Sequence, residues 1–267
     1  RGVPRVHYVA PQVWAWRAHR VKRYPGLWDR LLCLLPFEPA WFAQHGLPAT
    51  FVGHPVLESG AGGGDGARFR VKHGLAPDQP VLILMPGSRR SEAPRLLPVF
   101  GRTLRHLAAQ EPILRPVLPV SPAVADVVRH SAAGWPVQPI IVTDVAEKHD
   151  AFAAAGAALT KSGTSTLELA LAGVPMAVTY RVNALSAAIA RRMITVPHVA
   201  MVNLLAGRLV VPELLQQDCT AGKLSRPASG IRPDHGLSPP RVRPAVRRCC
   251  RPGIGRAGRH ITIPRLG

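Results

Sequence analysis

Cysteine, paired metal ligands and long apolar runs are scarce in this sequence. The four cysteines, at positions 33, 219, 249 and 250, have no CxxC spacing, and the eleven histidines form no HExxH pattern. We therefore predict a reducing compartment, no disulfide framework, and no metal or other cofactor. No apolar run approaches the roughly 18 residues that span a bilayer, and the first residues show no secretory signal pattern. We expect a cytoplasmic protein whose membrane contact, if any, is peripheral.

Acidic residues are also few, with 15 Asp and Glu against 34 Lys and Arg, which gives a formal net charge of +19. Such a charge on its own suggests nucleic acid or an anionic membrane surface as a partner. However, the segment from Ser225 onward holds ten arginines and one acid, and the remaining excess shows no aromatic-interleaved or RNP-like pattern. We therefore predict no nucleic-acid partner and favour an anionic bilayer with phosphorylated substrates.

Apolar residues make up 47% of the 267 positions, which is enough for a sizeable core. Short buried strands alternate with amphipathic helices, a pattern that predicts an α/β fold with parallel sheets. Within it we expect helices at VWAWRAHRVKRY and VPELLQQ. Composition divides the chain into a first α/β unit, a glycine-rich linker, a second α/β unit and a basic Pro/Arg-rich disordered tail, at residues 1–58, 59–70, 71–224 and 225–267.

The most informative segment is KSGTSTLELALAGVPMAVTYR, which follows a predicted buried strand and joins a small polar loop to the start of a helix. In a parallel sheet such a loop opens at the carboxyl edge, where ligands bind. Gly163 allows close backbone approach, a helix N-terminus suits a phosphate, and Glu168 suits ribose hydroxyls. The candidate residues are Ser162, Gly163, Thr164, Ser165, Thr166 and Glu168. A capping box formed by Ser165 and Glu168 explains the same residues equally well.

A second polar loop, in MPGSRRSE, follows the buried strand VLILM. Gly87, Ser88 and Arg89 suit a diphosphate, because a guanidinium offers paired donors to phosphate oxygens. Taken alone, these three residues are more simply interpreted as a solvated loop before a helix. Farther along, Asn203 could bind a sugar or phosphate and Arg208 could add charge, although an asparagine after a strand is more often a turn former.

Two other segments contain residue types that are common in active sites or at membrane surfaces. Trp14 and Trp16 precede a run of basic residues, which fits either an interfacial membrane surface or an inter-domain core with the basic groups facing water. Glu38, in PFEPAW, and His54, in GHP, could act as acid or base, but a glutamate between prolines and a histidine in a turn are usually structural.

Six motifs occur in order between about Val6 and Lys223: YVAPQVWAWR, LLPFEPAWF, FVGHPV, LMPGSRRSE, the KSGTSTLE loop and VNLLAGRLVVPELLQ. Together they closely resemble the lipid-A-disaccharide synthase family. The resemblance implies an inverting glycosyltransferase with two Rossmann-like domains, of which this chain holds only part of the first. It also implies that Asn203, Arg208 and the residues proposed above in the two polar loops bind the nucleotide sugar.

The resemblance further implies transfer of 2,3-diacylglucosamine from UDP-2,3-diacylglucosamine to 2,3-diacylglucosamine 1-phosphate, at the inner face of the inner membrane of a Gram-negative bacterium. In the family the presumed base and the acceptor loop precede the segment present here, so we assign no catalytic residue. The residues after Lys223 depart from the family and are either a disordered tail or out-of-frame translation. The oligomeric state stays open, with a homodimer among the options.

Two alternatives to the synthase remain at this point. One is a catalytically incomplete fragment that binds a UDP-sugar with little or no turnover. The other is a UDP-N-acetylglucosamine 2-epimerase, which has a similar architecture and a similar hydroxyl-rich loop. The epimerase is disfavoured because YVAPQVWAW and LLPFEPAWF belong to the synthase pattern.

Overall fold

The computed structural model describes residues 2–183 and 196–229, together with residues 246, 247, 250 and 251. Within these ranges the chain forms two parallel sheets. The strands are β1 Val6–Tyr8, β2 Arg30–Cys33, β3 Ala49–Phe51, β4 Val81–Met85, β5 Arg115–Pro119, β6 Ile140–Val142, β7 Ala157–Lys161, β8 Met176–Tyr180 and β9 Glu213–Leu215. The α-helices are α1 Glu38–Ala43, α2 Gly66–Lys72, α3 Ala93–Ala108, α4 Pro122–Ala132, α5 Val145–Ala154, α6 Ser165–Ala172, α7 Met201–Ala206 and α8 Ala221–Ser229. Short 3-10 helices cover Val13–Ala15, Ala18–Arg23 and Pro55–Glu58.

The larger sheet has six parallel strands in the order β6-β5-β4-β7-β8-β9. The chain starts in the middle at β4, adds β5 and β6 on one side, and then crosses back to place β7 on the other side of β4. This order reverses the direction of sheet growth between β4 and β7. In open α/β sheets, ligands bind at the carboxyl ends of the strands beside such a reversal.

Strand β4 shows why this sheet is buried on both faces. Val81 and Ile83 belong to one hydrophobic cluster, while Leu82 and Leu84 belong to the other, and all four side chains are fully buried. Side chains of α2, α5, α6 and α7 fill the first cluster. Those of α3, α4 and α8 fill the second. A continuous apolar run is the expected signature of a parallel strand covered by helices on both sides.

The smaller sheet consists of β1, β2 and β3 in that order, all parallel. Buried residues of the adjoining 3-10 helices, such as Trp14 and Val56, belong to the same hydrophobic cluster as Leu167 and Leu169 of α6. The 3-10 helix Pro55–Glu58 also contacts α6. The two units therefore share one continuous core, although most of the cluster is supplied by the second unit.

Two predicted helices differ from the structure. The segment VWAWRAHRVKRY forms two 3-10 helices, because the backbone leaves the helical region at Trp16 and Arg17. This break allows Trp14 to be buried while Trp16 stays exposed under the Arg17 guanidinium, 3.9 Å above its ring. The segment VPELLQQ contains strand β9, since pairing with the edge of β8 satisfies its backbone groups. The helix expected at ALSAAIARRMI lies outside the described residues.

The predicted linker and tail also contain ordered structure. Helix α2 begins inside the glycine-rich segment, where the Asp65 carboxylate accepts a hydrogen bond from the Arg68 N–H. Helix α8 crosses the predicted boundary at residue 224 and ends at Ser229. Two tail residues, Val246 and Cys250, are buried, and the Cys250 carbonyl accepts a hydrogen bond from the His54 N–H at 3.0 Å. The expectation of an unpacked tail is therefore wrong at these two positions.

Candidate functional site

The two polar loops that were predicted separately lie side by side in the structure. Strands β4 and β7 are neighbours, with Met85 opposite Thr160 at their carboxyl ends. Gly87, Ser88 and Arg89 follow β4, while the 162–164 segment follows β7. Both loops therefore flank the point at which the strand order reverses, which is the place where an α/β sheet binds a ligand.

The loop after β7 leaves open space beside its backbone. At Gly163 φ is 157°, a value that L side chains rarely adopt, and no heavy atom lies within 4 Å of the position that a Cβ would occupy. Thr164 is exposed, and α6 begins at the next residue. A helix N-terminus with an exposed glycine loop allows a ligand phosphate to approach backbone N–H groups.

The hydroxyls of this loop serve mainly to hold its shape. Ser162 Oγ donates to the Val199 carbonyl at 2.7 Å, and the buried Thr166 Oγ1 donates to the Gly163 carbonyl at 2.8 Å. Ser165 Oγ lies 3.1 Å from Thr160 Oγ1. The predicted capping box does not form, because the N-cap residue is Thr164 and its side chain makes no capping hydrogen bond. Of the predicted hydroxyl residues between Ser162 and Thr166, Thr164 is the one that is exposed, and in the loop after β4 Ser88 is exposed as well.

Glu168 is held by a lysine on a neighbouring helix. Its Oε1 lies 2.8 Å from Nζ of Lys148, which belongs to α5. The pair is partly buried, so Glu168 is fixed within the site instead of reaching back to the start of its own helix. Sequence reasoning missed Lys148, because a lysine in the helical run EKHDAF carries no local signal of its partner 20 residues away.

A cluster of three charges lies beside the loop after β4. Glu92 Oε1 is 2.8 Å from Arg89 Nη1 and 3.1 Å from Lys161 Nζ. Burial alone would raise the pKa of Glu92, but hydrogen bonds from Arg89 and Lys161 outweigh burial and lower that pKa. Gly87 has φ of 111°, and a Cβ there would lie 3.0 Å from both the Glu92 carboxylate and the Lys161 stem. The glycine is therefore required by the packing of this cluster.

Asn203 lies within the protein and not at an open surface. Its side chain is fully buried; Nδ2 donates to the Val211 carbonyl and to Glu213, and Oδ1 accepts from the N–H groups of Val210 and Val211. All of its hydrogen-bonding capacity is used, so the structure gives Asn203 a structural role in place of the predicted ligand contact. Arg208 is exposed at the end of the same segment.

The two acid–base candidates of the first unit have structural partners. Glu38 is buried and accepts hydrogen bonds from Trp14 Nε1 and from the N–H groups of Leu34 and Leu35, at 2.9 to 3.1 Å. Burial raises its pKa despite these bonds. His54 accepts a hydrogen bond from the Val56 N–H at 3.1 Å, and burial lowers its pKa. The structural interpretation of both residues is thus the better supported one.

Residues 2–183 and 196–229, with residues 246, 247, 250 and 251, make up the described part of the chain. No helix in this part of the chain is long and apolar enough to cross a bilayer. The same part contains no group of three or more His, Cys, Asp or Glu side chains arranged to hold a metal ion.

A family model described as lipid-A-disaccharide synthetase matches residues 2–229. The chain belongs to the lipid-A-disaccharide synthetase family. The lipid-A-disaccharide synthase of Granulibacter bethesdensis is 66% identical over 224 residues, which cover 84% of this chain and 57% of that protein. The Gluconobacter oxydans synthase is also 66% identical, over 233 residues that cover 87% of this chain and 56% of that protein. The chain thus spans a little over half the length of these synthetase relatives.

Solved structures with the same fold include the S. aureus MnaA–UDP co-structure, with a TM-score of 0.55, 16% identity, and coverage of 83% of this chain and 59% of that one. Another is Anabaena Alr3699/HepE in complex with UDP and glucose, with a TM-score of 0.52, 12% identity, and coverage of 93% and 68%. At such identities the likeness concerns the fold alone. It confirms the predicted α/β fold of the two-Rossmann-domain glycosyltransferase type.

Proposed function

We propose that this chain forms the nucleotide-sugar side of an inverting glycosyltransferase. The reaction transfers 2,3-diacylglucosamine from UDP-2,3-diacylglucosamine to 2,3-diacylglucosamine 1-phosphate and yields lipid A disaccharide 1-phosphate and UDP. One observation carries the proposal: the loops after β4 and β7 meet at the strand-order reversal, in a chain of the lipid-A-disaccharide synthetase family.

The residues of this site divide the recognition of UDP between them. The exposed backbone at Gly163 and Thr164 offers close approach to the diphosphate at the start of α6, and the Arg89 guanidinium offers paired donors to its oxygens. Glu168, fixed by Lys148, accepts hydrogen bonds from the ribose hydroxyls. These groups stabilise the negative charge that develops on UDP as the bond between the anomeric carbon and the β-phosphate oxygen breaks.

A peripheral position on the cytoplasmic face of the membrane belongs to the same proposal. Trp16 and Leu27 are 42% and 47% exposed, and Arg20, Lys22 and Arg23 are exposed close to them in the chain. An exposed aromatic and aliphatic pair with basic neighbours suits an anionic bilayer surface. Trp14, in contrast, is buried and contributes to the core.

Binding of UDP without efficient turnover is the second candidate for this chain. It is favoured by the structural engagement of Glu38 and His54, which leaves neither as an obvious base in the part of the chain that is described. Incubation with both lipid substrates separates the two candidates. UDP release that the Glu168→Ala variant abolishes supports the enzyme, whereas UDP binding without release supports the binding protein.

Calorimetry with UDP tests the site itself. We expect Glu168→Ala to weaken binding by about 1 to 3 kcal/mol, because a hydrogen bond to a charged group is lost. Arg89→Ala should also weaken binding, since a cation near the diphosphate is removed. Arg129→Ala is the matched control for Arg89→Ala, because Arg129 forms an exposed i,i+3 ion pair with Asp126 on α4, as Arg89 does with Glu92. Equal UDP affinity in the wild type, Glu168→Ala and Arg89→Ala would disprove the assignment.

A further inference from the structure

The site contains two partly buried lysines that each pair with a carboxylate. Lys161 Nζ lies 3.1 Å from Glu92, and Lys148 Nζ lies 2.8 Å from Glu168. Their side chains are exposed to nearly the same degree, 18% for Lys161 and 20% for Lys148. Lys161 is the last residue of β7 and precedes the open loop, whereas Lys148 lies on α5. The structure thus provides two similar ion pairs attached to different elements of one site.

Lys161 is placed where an anion would bind between the two loops. It ends the strand beside the reversal of strand order, and its neighbour Thr160 lies opposite Met85 of β4. Its stem crosses toward the β4 loop through the space that Gly87 leaves by having no Cβ. Its ammonium lies between the Glu92 carboxylate and the ring of Tyr180, 5.5 Å from the ring centroid.

The charges around Lys161 leave an excess of one positive charge. Glu92 Oε1 is shared between Lys161 and Arg89, so two cations are held by one carboxylate. An ammonium has three donors, and Glu92 accepts from one of them. Because Glu92 holds both cations in place before a ligand arrives, the cations need little rearrangement to bind an anion. The N-terminus of α6 lies nearby and adds positive potential of its own.

Lys148 has a different relationship to the site. Its ammonium contacts Glu168 Oε1 and lies 5.9 Å from the ring centroid of Phe152, a buried residue of its own helix. These contacts hold Lys148 on the side of α6 that faces α5, where it can orient the Glu168 carboxylate. Its influence on a ligand would therefore pass through Glu168.

We propose that Lys161 binds the phosphate groups of the nucleotide directly, and that Lys148 is a positioning residue which acts on the ribose through Glu168. This inference rests on the proposed function, because both roles require that UDP occupies the loops after β4 and β7. Lys161 then binds the anionic part of the ligand, and Lys148 acts on its nucleoside part.

The test compares UDP with uridine on the full 267-residue chain. Lys161→Met should weaken UDP binding about tenfold, which is the scale of one lost charge-assisted hydrogen bond. It should leave the affinity for uridine unchanged. Lys148→Met should weaken the binding of UDP and of uridine by the same factor, because uridine retains the ribose. Lys161→Arg should restore most of the UDP affinity, since it keeps the cation. Calorimetry measures the affinity for UDP, and an NMR titration measures the weaker affinity for uridine.

The outcomes distinguish this inference from the proposed function. If the wild type binds no UDP, the proposed function fails and the lysine roles fail with it. If the wild type binds UDP but Lys161→Met leaves UDP affinity unchanged, or weakens UDP and uridine equally, Lys161 has only a structural role and the inference is overturned. Lys161→Gln keeps a hydrogen-bonding end for Glu92 and provides the same comparison should Lys161→Met fail to fold.

Discussion

The apolar residues of the two sheets are buried to very different extents. In the six-stranded sheet, Leu84 and its neighbours in β4 are fully buried between helices on both faces. In the three-stranded sheet, Val6 and Tyr8 of β1 are 56% and 55% exposed. The loops proposed to bind UDP extend from the centre of the fully covered sheet, so the scaffold that positions them is the more rigid of the two.

The buried carboxylates of the two units differ in the groups that surround them. Glu38, in the first unit, is surrounded by neutral N–H donors, and burial raises its pKa. Asp150, in the second unit, receives two hydrogen bonds of 2.7 Å from the Arg68 guanidinium, which lowers its pKa against the effect of burial. The second unit therefore compensates its buried acid with a cation, whereas the first surrounds its buried acid with neutral donors, and burial raises the pKa of that acid.

The largest expected effect comes from truncating a side chain in each sheet. Leu84→Ala should lower the free energy of unfolding by about 2 to 5 kcal/mol, because a fully buried leucine leaves a cavity. Val6→Ala, on the exposed edge strand, should change it by no more than about 0.5 kcal/mol. Urea denaturation measures both. Similar losses for the two variants would mean that the first sheet is as well covered as the second.

A smaller loss is expected where the glycine-rich segment joins the two units. A Cβ at Gly64 would overlap the His149 carbonyl of α5, so Gly64→Ala should destabilise the protein by about 1 to 3 kcal/mol through overpacking. Gly134, which has no heavy atom within 4 Å of the corresponding position, is the matched control. If Gly64→Ala and Gly134→Ala melt at the same temperature, the segment is a flexible linker, as its composition suggests.

The sequence was most informative where structure is local. Apolar runs correctly indicated strands β4 and β7 of the larger sheet, and the loops after these two strands followed from them. Strand β9 was missed because its backbone is ordered by pairing with Val178 and its neighbours in β8, which the three-residue segment ELL cannot reveal. Lys161 was passed over because its partner, Glu92, lies 69 positions away and meets it only across two strands.

Asn203 and the capping box differ in how they were predicted: the ligand role of Asn203 came from the family resemblance, while its local pattern favoured a turn former, and the capping box came from a local pattern alone. The Asn203 side chain completes the turn around Val211, and Glu168 pairs with Lys148 instead of its own helix terminus. In both cases the residue type was compatible with two partners. For Glu168, the packing of α6 against α5 determined which partner it met.

The smallest expected effects are changes in the pH dependence of stability, and they should have opposite signs in the two units. Asp150 has a lowered pKa in the folded protein, so its stabilising contribution is present above its ordinary value of 3.8 and is lost as pH falls through the lowered pKa. The difference in Tm between wild type and Asp150→Asn should therefore be largest near neutral pH and shrink in acid. Asp126→Asn, in an exposed ion pair, should show little difference at any pH.

Glu38 should behave in the reverse manner. Its pKa is raised in the folded protein, so its contribution is present below the ordinary value of 4.5 and is lost as pH rises from there through the raised pKa. Glu38→Gln removes that titration, although its amide group meets the Trp14 N–H and sacrifices one hydrogen bond. The readout is therefore the slope of Tm against pH, and not its absolute value. Above pH 4.5 the Glu38→Gln variant should lose less stability than the wild type as pH rises, and parallel profiles would show that folding does not raise the pKa of Glu38 because its N–H donors offset its burial.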